Sequence, residues 1–235
     1  VVRRWSAALR DNVSSLAVTD LRTVFITHLH SDHTLGYPDL ILTSWTIDRG
    51  RARPFDIYGP RGLQSMTEHL LGAYAEDIRV RTGPGGELEG ATEPLVRVHE
   101  VGAGTVYKDA LISVTAFQVP HGSWEAAFGY CIETPDKKIV ISGDTGPAQI
   151  IAEQCQGCDI LLHEGGSMDA TVGDYFRHFH TTGEELAKIA AAARPKLLVL
   201  YHQRTQNATA AAAYRKFRSL YGGAFVVAHD LAVFY

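Results

Sequence analysis

Five short apolar runs in this chain end directly before histidine or acidic residues. The run at residues 23–27 (TVFIT) precedes the sequence HLHSDH. The other four precede His121, Asp144, His163 with Glu164, and His202. Strands of one sheet can end at the same edge, so polar side chains that follow several strands can gather there. The pattern predicts a layered fold with a functional site at the strand ends.

Strands and helices are predicted to interleave along the chain. Apolar runs rich in β-branched residues predict strands at residues 23–27, 55–58, 111–119, 128–133, 138–142, 159–163, 196–201 and 224–228. Helical patterns cover residues 61–74, 147–155, 182–193 and 207–221. Residues 82–94 are rich in Gly and Pro and predict a surface loop. This order favours an α/β architecture over separate helical and sheet domains.

Charge and hydropathy argue against two kinds of binding partner, nucleic acids and membranes. The chain has 22 Lys and Arg against 26 Asp and Glu, a formal net charge of -4. It therefore lacks the global positive field that holds a nucleic-acid backbone. No apolar run approaches the length of a membrane helix, and we expect no membrane partner.

The first ten residues, VVRRWSAALR, resemble a helix already under way without a capping residue. We expect a single domain over residues 1–235 that begins after its first strands. Three cysteines in 235 residues are too few for a disulfide framework, so a cytoplasmic location is the default expectation. Cys155 and Cys158 form a lone CxxC, which we interpret as packing between a helix end and the next strand.

The sequence HLHSDH places four ligand-type side chains in six positions. These are His28, His30, Asp32 and His33, and we expect them on the loop that leaves the first predicted strand. Imidazole and carboxylate groups that turn inward together are what a Zn²⁺-like ion requires. A single histidine is more often structural than a ligand, but the joint pattern over five strand ends favours a metal site.

These residues carry a family resemblance. HLHSDH, with His121, SGDT around Asp144, and His202, resembles the metallo-β-lactamase superfamily. The stretches DIYGPRGL, HGSWEAAFGYCIE, IVISGDTGP, DILLHEGG and FHTTGEELAKIA are similar to its ribonuclease Z and arylsulfatase-like branch. The resemblance extends from residue 20 to the C-terminus. It implies a mixed α/β (α+β) fold, the four-layer αββα sandwich, in which two sheets pack together with helices outside.

The resemblance also implies a dinuclear metal site. One metal would be bound by His28, His30 and His121, the second by Asp32, His33 and His202, and Asp144 would bridge the two. Two Zn²⁺ ions are expected, with Mn²⁺ or Fe as alternatives at the carboxylate-richer position. A hydroxide shared by ions about 3.5 to 4 Å apart would be the nucleophile, and the net positive charge would favour an anionic substrate.

Two further residues are expected to act beside the metals. His180 matches a histidine that lies near the leaving group in ribonuclease Z-like enzymes, and Glu164 would orient it and favour its charged form. Asp32 counts with them as catalytic as well as a ligand. For both Glu164 and His163, a part in the reaction and a merely supporting or structural role stay open, and His178 is a weaker candidate. His69, His99 and His229 are interpreted as structural or surface residues.

The predicted function is a dinuclear metal-dependent hydrolase that cleaves a phosphodiester or a similar anionic ester, such as a sulfate. Ribonucleases Z that process tRNA carry a long arm after the His121 equivalent, but only seven residues separate His121 from Gly129 here. True tRNA 3′-end processing, with an arm supplied by a partner, stays an alternative. A non-catalytic metal-binding module is a second alternative, and the complete ligand set disfavours it. The expected partners are a small anionic ester, or RNA, and a second copy of the chain in a homodimer.

Overall fold

A computed structural model of the chain describes residues 20–48, 54–165, 173–203 and 208–234. The helix predicted in the first ten residues lies outside this part, as does the first residue of the helix predicted at 207–221. The chain forms two compact units, one made of residues 1–101 and 233–235 and the other of residues 102–232. Each contains strands and helices.

The first unit is built on a parallel sheet. Its elements are β1 (Thr23–Phe25), α1 (Ser31–Thr34), α2 (Tyr37–Ile47), β2 (Phe55–Gly59), α3 (Leu63–Ala73), α4 (Ala75–Thr82) and β3 (Val96–Glu100). The strand order is β1-β2-β3, with Val24 opposite Ile57 and Ile57 opposite Val98. Because β1 ends at Phe25, it delivers the sequence HLHSDH at its carboxyl end.

The core of the first unit follows from alternation along β2. Phe55 and Ile57 are fully buried and pack with Leu40, Ile41 and Leu63 from the helices. Each such side chain contributes roughly 1.5–3 kcal/mol by leaving water. This packing fixes β1 and β2 against α2 and α3, and with them the start of the HLHSDH segment.

The second unit contains a seven-stranded mixed sheet. Its elements are β4 (Gly104–Lys108), β5 (Ser113–Gln118), β6 (Phe128–Glu133), β7 (Lys138–Ile141), α5 (Gln149–Cys155), β8 (Ile160–Glu164), α6 (Asp174–Phe179), α7 (Gly183–Ala193), β9 (Leu197–Tyr201), α8 (Ala208–Leu220) and β10 (Phe225–Val227). The strand order is β10-β9-β8-β7-β6-β5-β4. The strands from β7 to β10 are parallel, and those from β4 to β7 are antiparallel.

The register of this sheet brings four strand ends to one edge. Val140 of β7 lies opposite Leu161 of β8, which lies opposite Leu198 of β9. The strand β5 also ends at this edge, because β5 and β7 both run antiparallel to β6. The residues that follow β5, β7, β8 and β9 therefore leave the sheet on the same side, as the sequence pattern predicts.

The interior of the second unit lies between the sheet and its helices. Val140, Leu161 and Leu198 are fully buried, as are Ile151 of α5 and Leu186 of α7. In β9 the successive residues Leu198, Val199 and Leu200 are all fully buried, as expected for a parallel strand that is covered on both faces. No helix in the described ranges is long and apolar enough to cross a membrane.

Several elements differ from the sequence prediction. The structure adds α2, α4, α6, β3 and β4, and it places Asp32 and His33 in the short helix α1 instead of a loop. Thr82 ends α4, whereas residues 83–94 form the predicted irregular loop. The remaining predicted strands and helices are confirmed, with shifts of a few residues at their ends.

The CxxC joins a helix end to the next strand, as predicted, but it does so covalently. Cys155, the last residue of α5, forms a disulfide with Cys158, and both cysteines are buried. Interpreting this pair as packing alone was wrong. A lone CxxC does not distinguish two thiols from a disulfide, so the sequence alone could not predict this bond. Cys131 lies in β6 and is also buried.

Candidate metal centre

The HLHSDH segment of the first unit forms a compact histidine cluster. His28 is fully buried, and its Nε2 lies 3.0 Å from Nδ1 of His30. The His28 ring lies 4.3 Å from the His33 ring, centroid to centroid, and Nε2 of His33 lies 3.5 Å from Oδ2 of Asp32. Two nitrogens bound to one zinc at about 2.1 Å in tetrahedral geometry lie about 3.4 Å apart. The His28–His30 separation is close to that value.

Helix α1 explains how this short segment gathers its side chains. The Thr34 amide and hydroxyl both donate to the carbonyl of His30, at 3.1 and 3.0 Å. This single helical turn brings the His33 ring back beside His28, with the Asp32 carboxylate near His33. A chain reversal through a helical turn satisfies the backbone groups, which an open loop would leave to solvent.

A second cluster lies in the second unit, where Asp144 follows β7, His202 follows β9 and His180 follows helix α6. Asp144, His180 and His202 each offer one ligand atom, and these atoms lie within 4.8 Å of one another. Oδ2 of Asp144 lies 3.3 Å from Nε2 of His202, and the Asp144 side chain is only 2% exposed. One carboxylate and two imidazoles at this separation form a donor set that suits Zn²⁺.

The backbone at His202 is held in an uncommon conformation. Its φ is +54°, in the left-handed region that residues other than glycine rarely adopt. His202 directly follows the buried strand β9, where Leu200 is fully inaccessible. Such a conformation costs on the order of 1 kcal/mol and persists where the surroundings impose it, often at functional sites.

His121 is oriented by a hydrogen bond from a distant part of the chain. Its Nδ1–H donates to the carbonyl of Phe179 at 2.7 Å, and the side chain is buried. This bond sets the tautomer in which Nε2 carries the lone pair, the usual arrangement for a metal-binding histidine. The His121 ring lies 5.6 Å from the His180 ring. His121 therefore adjoins the second cluster.

Glu164 and His180 form a buried pair. Oε1 of Glu164 lies 3.4 Å from Nδ1 of His180, an ion-pair distance, and the Glu164 side chain has no exposed surface. The amide of Thr181 donates to the same carboxylate oxygen at 2.8 Å. The hydroxyl of Thr181 donates to the carbonyl of Thr145, also at 2.8 Å. These bonds hold the carboxylate beside the imidazole.

Three supporting residues escaped the sequence prediction: Ser142, Thr181 and Tyr201. The Ser142 hydroxyl accepts the amide of Glu164 at 3.1 Å. Burial, and to a lesser extent the Asp144 carboxylate, raises the pKa of Tyr201, which is therefore a neutral phenol. Thr181 and Ser142 adjoin predicted site residues in HTT and SGD, which was the available signal. Tyr201 looked like an ordinary strand residue.

The other histidines divide between the interior and the surface. His163 is fully buried, its Nδ1–H donates to the Glu164 carbonyl at 2.6 Å, and its Nε2 has no hydrogen-bond partner within the described residues. His178 is exposed, and its Nδ1–H donates to the Asp174 carbonyl. His99 pairs with Asp56 at 2.9 Å. His69 and His229 are exposed.

Comparison with known proteins identifies the family. A model described as "Beta-lactamase superfamily domain" matches residues 5–203. The ribonuclease Z of Mycobacterium sp. (strain KMS) is 29% identical over 200 residues, which cover 83% of this chain and 70% of that protein.

Solved structures show the same fold. The metallo-β-lactamase fold protein YhfI from Bacillus subtilis has a TM-score of 0.70 at 14% identity, covering 95% of this chain and 81% of its own. Human tRNase Z, short form, has a TM-score of 0.67 at 23% identity, covering 96% and 84%.

The predicted metallo-β-lactamase fold and the predicted ribonuclease Z-like resemblance are confirmed by these matches. The chain therefore belongs to the beta-lactamase superfamily, in the branch of metal-dependent hydrolases whose relatives are named ribonuclease Z.

Proposed function

We propose that the chain hydrolyses a phosphodiester or a similar anionic ester with the help of two metal ions. The observation that carries this proposal is the close approach of Asp144, His180 and His202, each of which brings one side-chain nitrogen or oxygen to within 4.8 Å of the others. The buried Glu164 beside His180 adds an acid–base pair to that cluster. Ligands and a proton donor together suit a hydrolase better than a purely structural metal site.

The proposed ligand set combines the two clusters on the basis of family membership. One ion is held by His28, His30 and His121, the other by Asp32, His33 and His202, with Asp144 shared. The imidazole-rich set favours Zn²⁺, with Mn²⁺ or Fe as alternatives at the carboxylate-richer position. When bound, such ions supply Lewis-acid stabilisation of the ester oxygens and a nucleophilic water at neutral pH.

His180 is proposed as the proton donor to the departing oxygen. Its Nδ1 faces Glu164, so Nε2 is the nitrogen available to a substrate. As the water oxygen bonds to phosphorus and the ester P–O bond breaks, His180 transfers a proton to the leaving oxygen. The attacking water would already have lost a proton to solvent, as it does on such ions at neutral pH, and Asp32 takes part as one of the side chains that would hold the second ion. Glu164 orients the imidazole and stabilises its charged form.

Substitution of His180 tests this assignment against that of a ligand. We expect His180→Ala to lower kcat on bis(p-nitrophenyl) phosphate by about 10²- to 10⁴-fold, the usual contribution of a proton donor, with both metals retained. Asp144→Ala should abolish activity and reduce metal content. His178→Ala is the matched control, because His178 lies two residues away and is exposed, and it should leave kcat unchanged.

Two outcomes would contradict the assignment. Full activity of His180→Ala would remove His180 from the reaction. Loss of a metal equivalent in the same variant would make His180 a ligand instead of the proton donor.

The substrate is proposed from chemistry and from the relatives together. The ribonuclease Z name of the relatives supports RNA, whereas the short connection from His121 to Gly129 leaves no room there for a tRNA-gripping arm. Cleavage of bis(p-nitrophenyl) phosphate but not of precursor tRNA favours a small ester, and accurate 3′-end cleavage of the precursor favours RNA.

A homodimer is proposed as well, and sedimentation would test it.

A cytoplasmic location remains a proposal that rests on the low cysteine content. The Cys155–Cys158 disulfide stands against this proposal, because disulfides are rare in that compartment. A Cys155–Cys158 pair that is fully oxidised when thiols are trapped in intact cells would argue against this location.

A further inference from the structure

Helix α6, which leads directly into His180, carries three aromatic side chains. They are Tyr175, Phe176 and Phe179, and we call them the aromatic wall. The Tyr175 side chain is 80% exposed, although its ring is large. A single exposed apolar side chain needs no explanation, so the contacts of this wall decide whether it has a role.

The rings of the aromatic wall continue into the candidate metal centre. Tyr175 and Phe179 have ring centroids 5.1 Å apart, and Phe179 meets the ring of His121 edge to face at 5.4 Å. Phe176 lies 4.7 Å from the ring of His180. Two histidines of the site are thus each flanked by a phenylalanine, and Tyr175 extends this surface toward solvent.

Backbone contacts fix the aromatic wall in place. The carbonyl of Phe179 accepts the hydrogen bond from His121, and the amide of Gly122 donates to the carbonyl of His178 at 2.8 Å. A Cβ atom at residue 122 would lie 2.0 Å from the Phe179 ring. The ring therefore packs directly against the glycine backbone. These contacts hold the Phe179 end of the aromatic wall in place before any ligand binds.

We propose that the aromatic wall is a subsite for a flat aromatic ring in the leaving group of the substrate. This inference rests on the proposed function, in which His180 protonates the departing oxygen. A leaving group held at His180 lies beside Phe176, whose ring is 4.7 Å from the imidazole, and Tyr175 offers an exposed face on which a ring can stack. Aromatic side chains bind nucleobases and aryl groups in this way, whatever their hydrogen-bonding pattern. The substrate class is then an anionic ester of a nucleoside or of an aryl alcohol.

Binding of matched, non-hydrolysable ligands tests the subsite by calorimetry on the protein as purified. One pair is 4-nitrobenzylphosphonate and propylphosphonate, and the other is adenosine 5′-monophosphate and ribose 5-phosphate. We expect the ring-bearing member of at least one pair to bind about tenfold more tightly. A preference in the first pair only indicates an aryl source, and one in the second only indicates a nucleobase. Equal affinities in both pairs would overturn the proposal.

Variants locate that preference on the aromatic wall. Tyr175→Ala should remove most of it, and Tyr175→Phe should keep it, because stacking needs the ring and not the hydroxyl. The exposed Tyr74 of the first unit gives the control Tyr74→Ala, which should retain the preference. An undiminished preference in Tyr175→Ala would overturn the proposal.

Turnover separates this inference from the function on which it rests. Hydrolysis of bis(p-nitrophenyl) phosphate without any ring preference would refute the subsite and leave the hydrolase standing. A ring preference without hydrolysis of any ester would support the subsite and contradict the hydrolase.

Discussion

Gly122 lies where the candidate site and the aromatic wall meet, and its backbone admits no larger residue. Its φ is +57°, and a Cβ would lie 2.0 Å from the ring of Phe179. Gly85 also has a positive φ, +79°, but a Cβ there would have nothing within 4 Å. The two glycines therefore share the conformational restriction and differ in the steric one.

This difference gives a matched pair of variants. We expect Gly122→Ala to lower the free energy of unfolding by about 2–4 kcal/mol, from the left-handed backbone and the overpacking together. Gly85→Ala should cost about 1–2 kcal/mol from the backbone alone. Chemical denaturation measures both values, and equal losses would show that Phe179 does not pack against residue 122.

The burial of His163 leads us to predict that the folded chain is less stable in acidic solution. Burial is the main cause that lowers the pKa of His163, so this side chain is neutral in the folded chain. The pKa of a histidine in an unfolded chain is about 6.5. As the pH falls below that value, His163 becomes protonated in the unfolded state but not in the folded state. Stability contributed by neutral His163 is therefore present above about pH 6.5 and is lost in more acidic solution.

The measurement is the slope of unfolding free energy against pH, between pH 7 and pH 5, with a chelator present. A single such group contributes up to about 1.4 kcal/mol per pH unit. We expect His163→Gln to have a shallower slope than the wild type, because the glutamine amide does not titrate. An unchanged slope would mean that His163 becomes protonated in the folded chain.

At the scale of elements, α7 shows how local sequence positions the site. Thr182 and Glu185 form a capping box, in which the threonine hydroxyl accepts the Glu185 amide and the glutamate carboxylate accepts the Thr182 amide. This cap begins two residues after His180. It fixes where the helix starts and therefore the position of the HTT segment that leads into it.

Removal of the cap should destabilise the second unit without touching the candidate ligands. We expect Thr182→Ala to cost about 1 kcal/mol of unfolding free energy, within the usual range for such caps. Thr182→Ser keeps the hydroxyl and should cost only a few tenths of a kcal/mol. Denaturation of both variants tests this, and an equally unstable serine variant would show that the hydroxyl is not the stabilising group.

The sequence predicts an element best when the residues of that element alone determine its structure. Strands β7, β8 and β9 each contain at least three successive apolar residues, and α7 carries its own cap, so their patterns are readable. Helix α2 was missed because YPDLILTSWTI is apolar and rich in β-branched residues, which favour strands. Its buried Tyr37, Leu40, Ile41 and Trp45 do recur at helical spacing, and Pro38 marks its start.

At the scale of the whole molecule, the sequence indicated residue types at the site better than their orientation. Each candidate ligand follows an apolar run, and that rule needs no tertiary information. The hydrogen bond from His121 to Phe179 spans 58 positions, and the amide of Thr181 reaches Glu164 across 17. Contacts between residues so far apart leave no periodic signal in a sequence, so the orientation of His121 and the support of Glu164 needed the structure.

Direct determination of bound metal tests the central claim, that the histidine cluster, together with His121, Asp144 and His202, binds two ions. After loading with excess zinc and removal of free ions, elemental analysis should find two equivalents per chain. His28→Ala and His202→Ala, one variant from each cluster, should each retain fewer than two. A wild-type protein that retains no zinc, or variants that both keep two equivalents, would contradict the account.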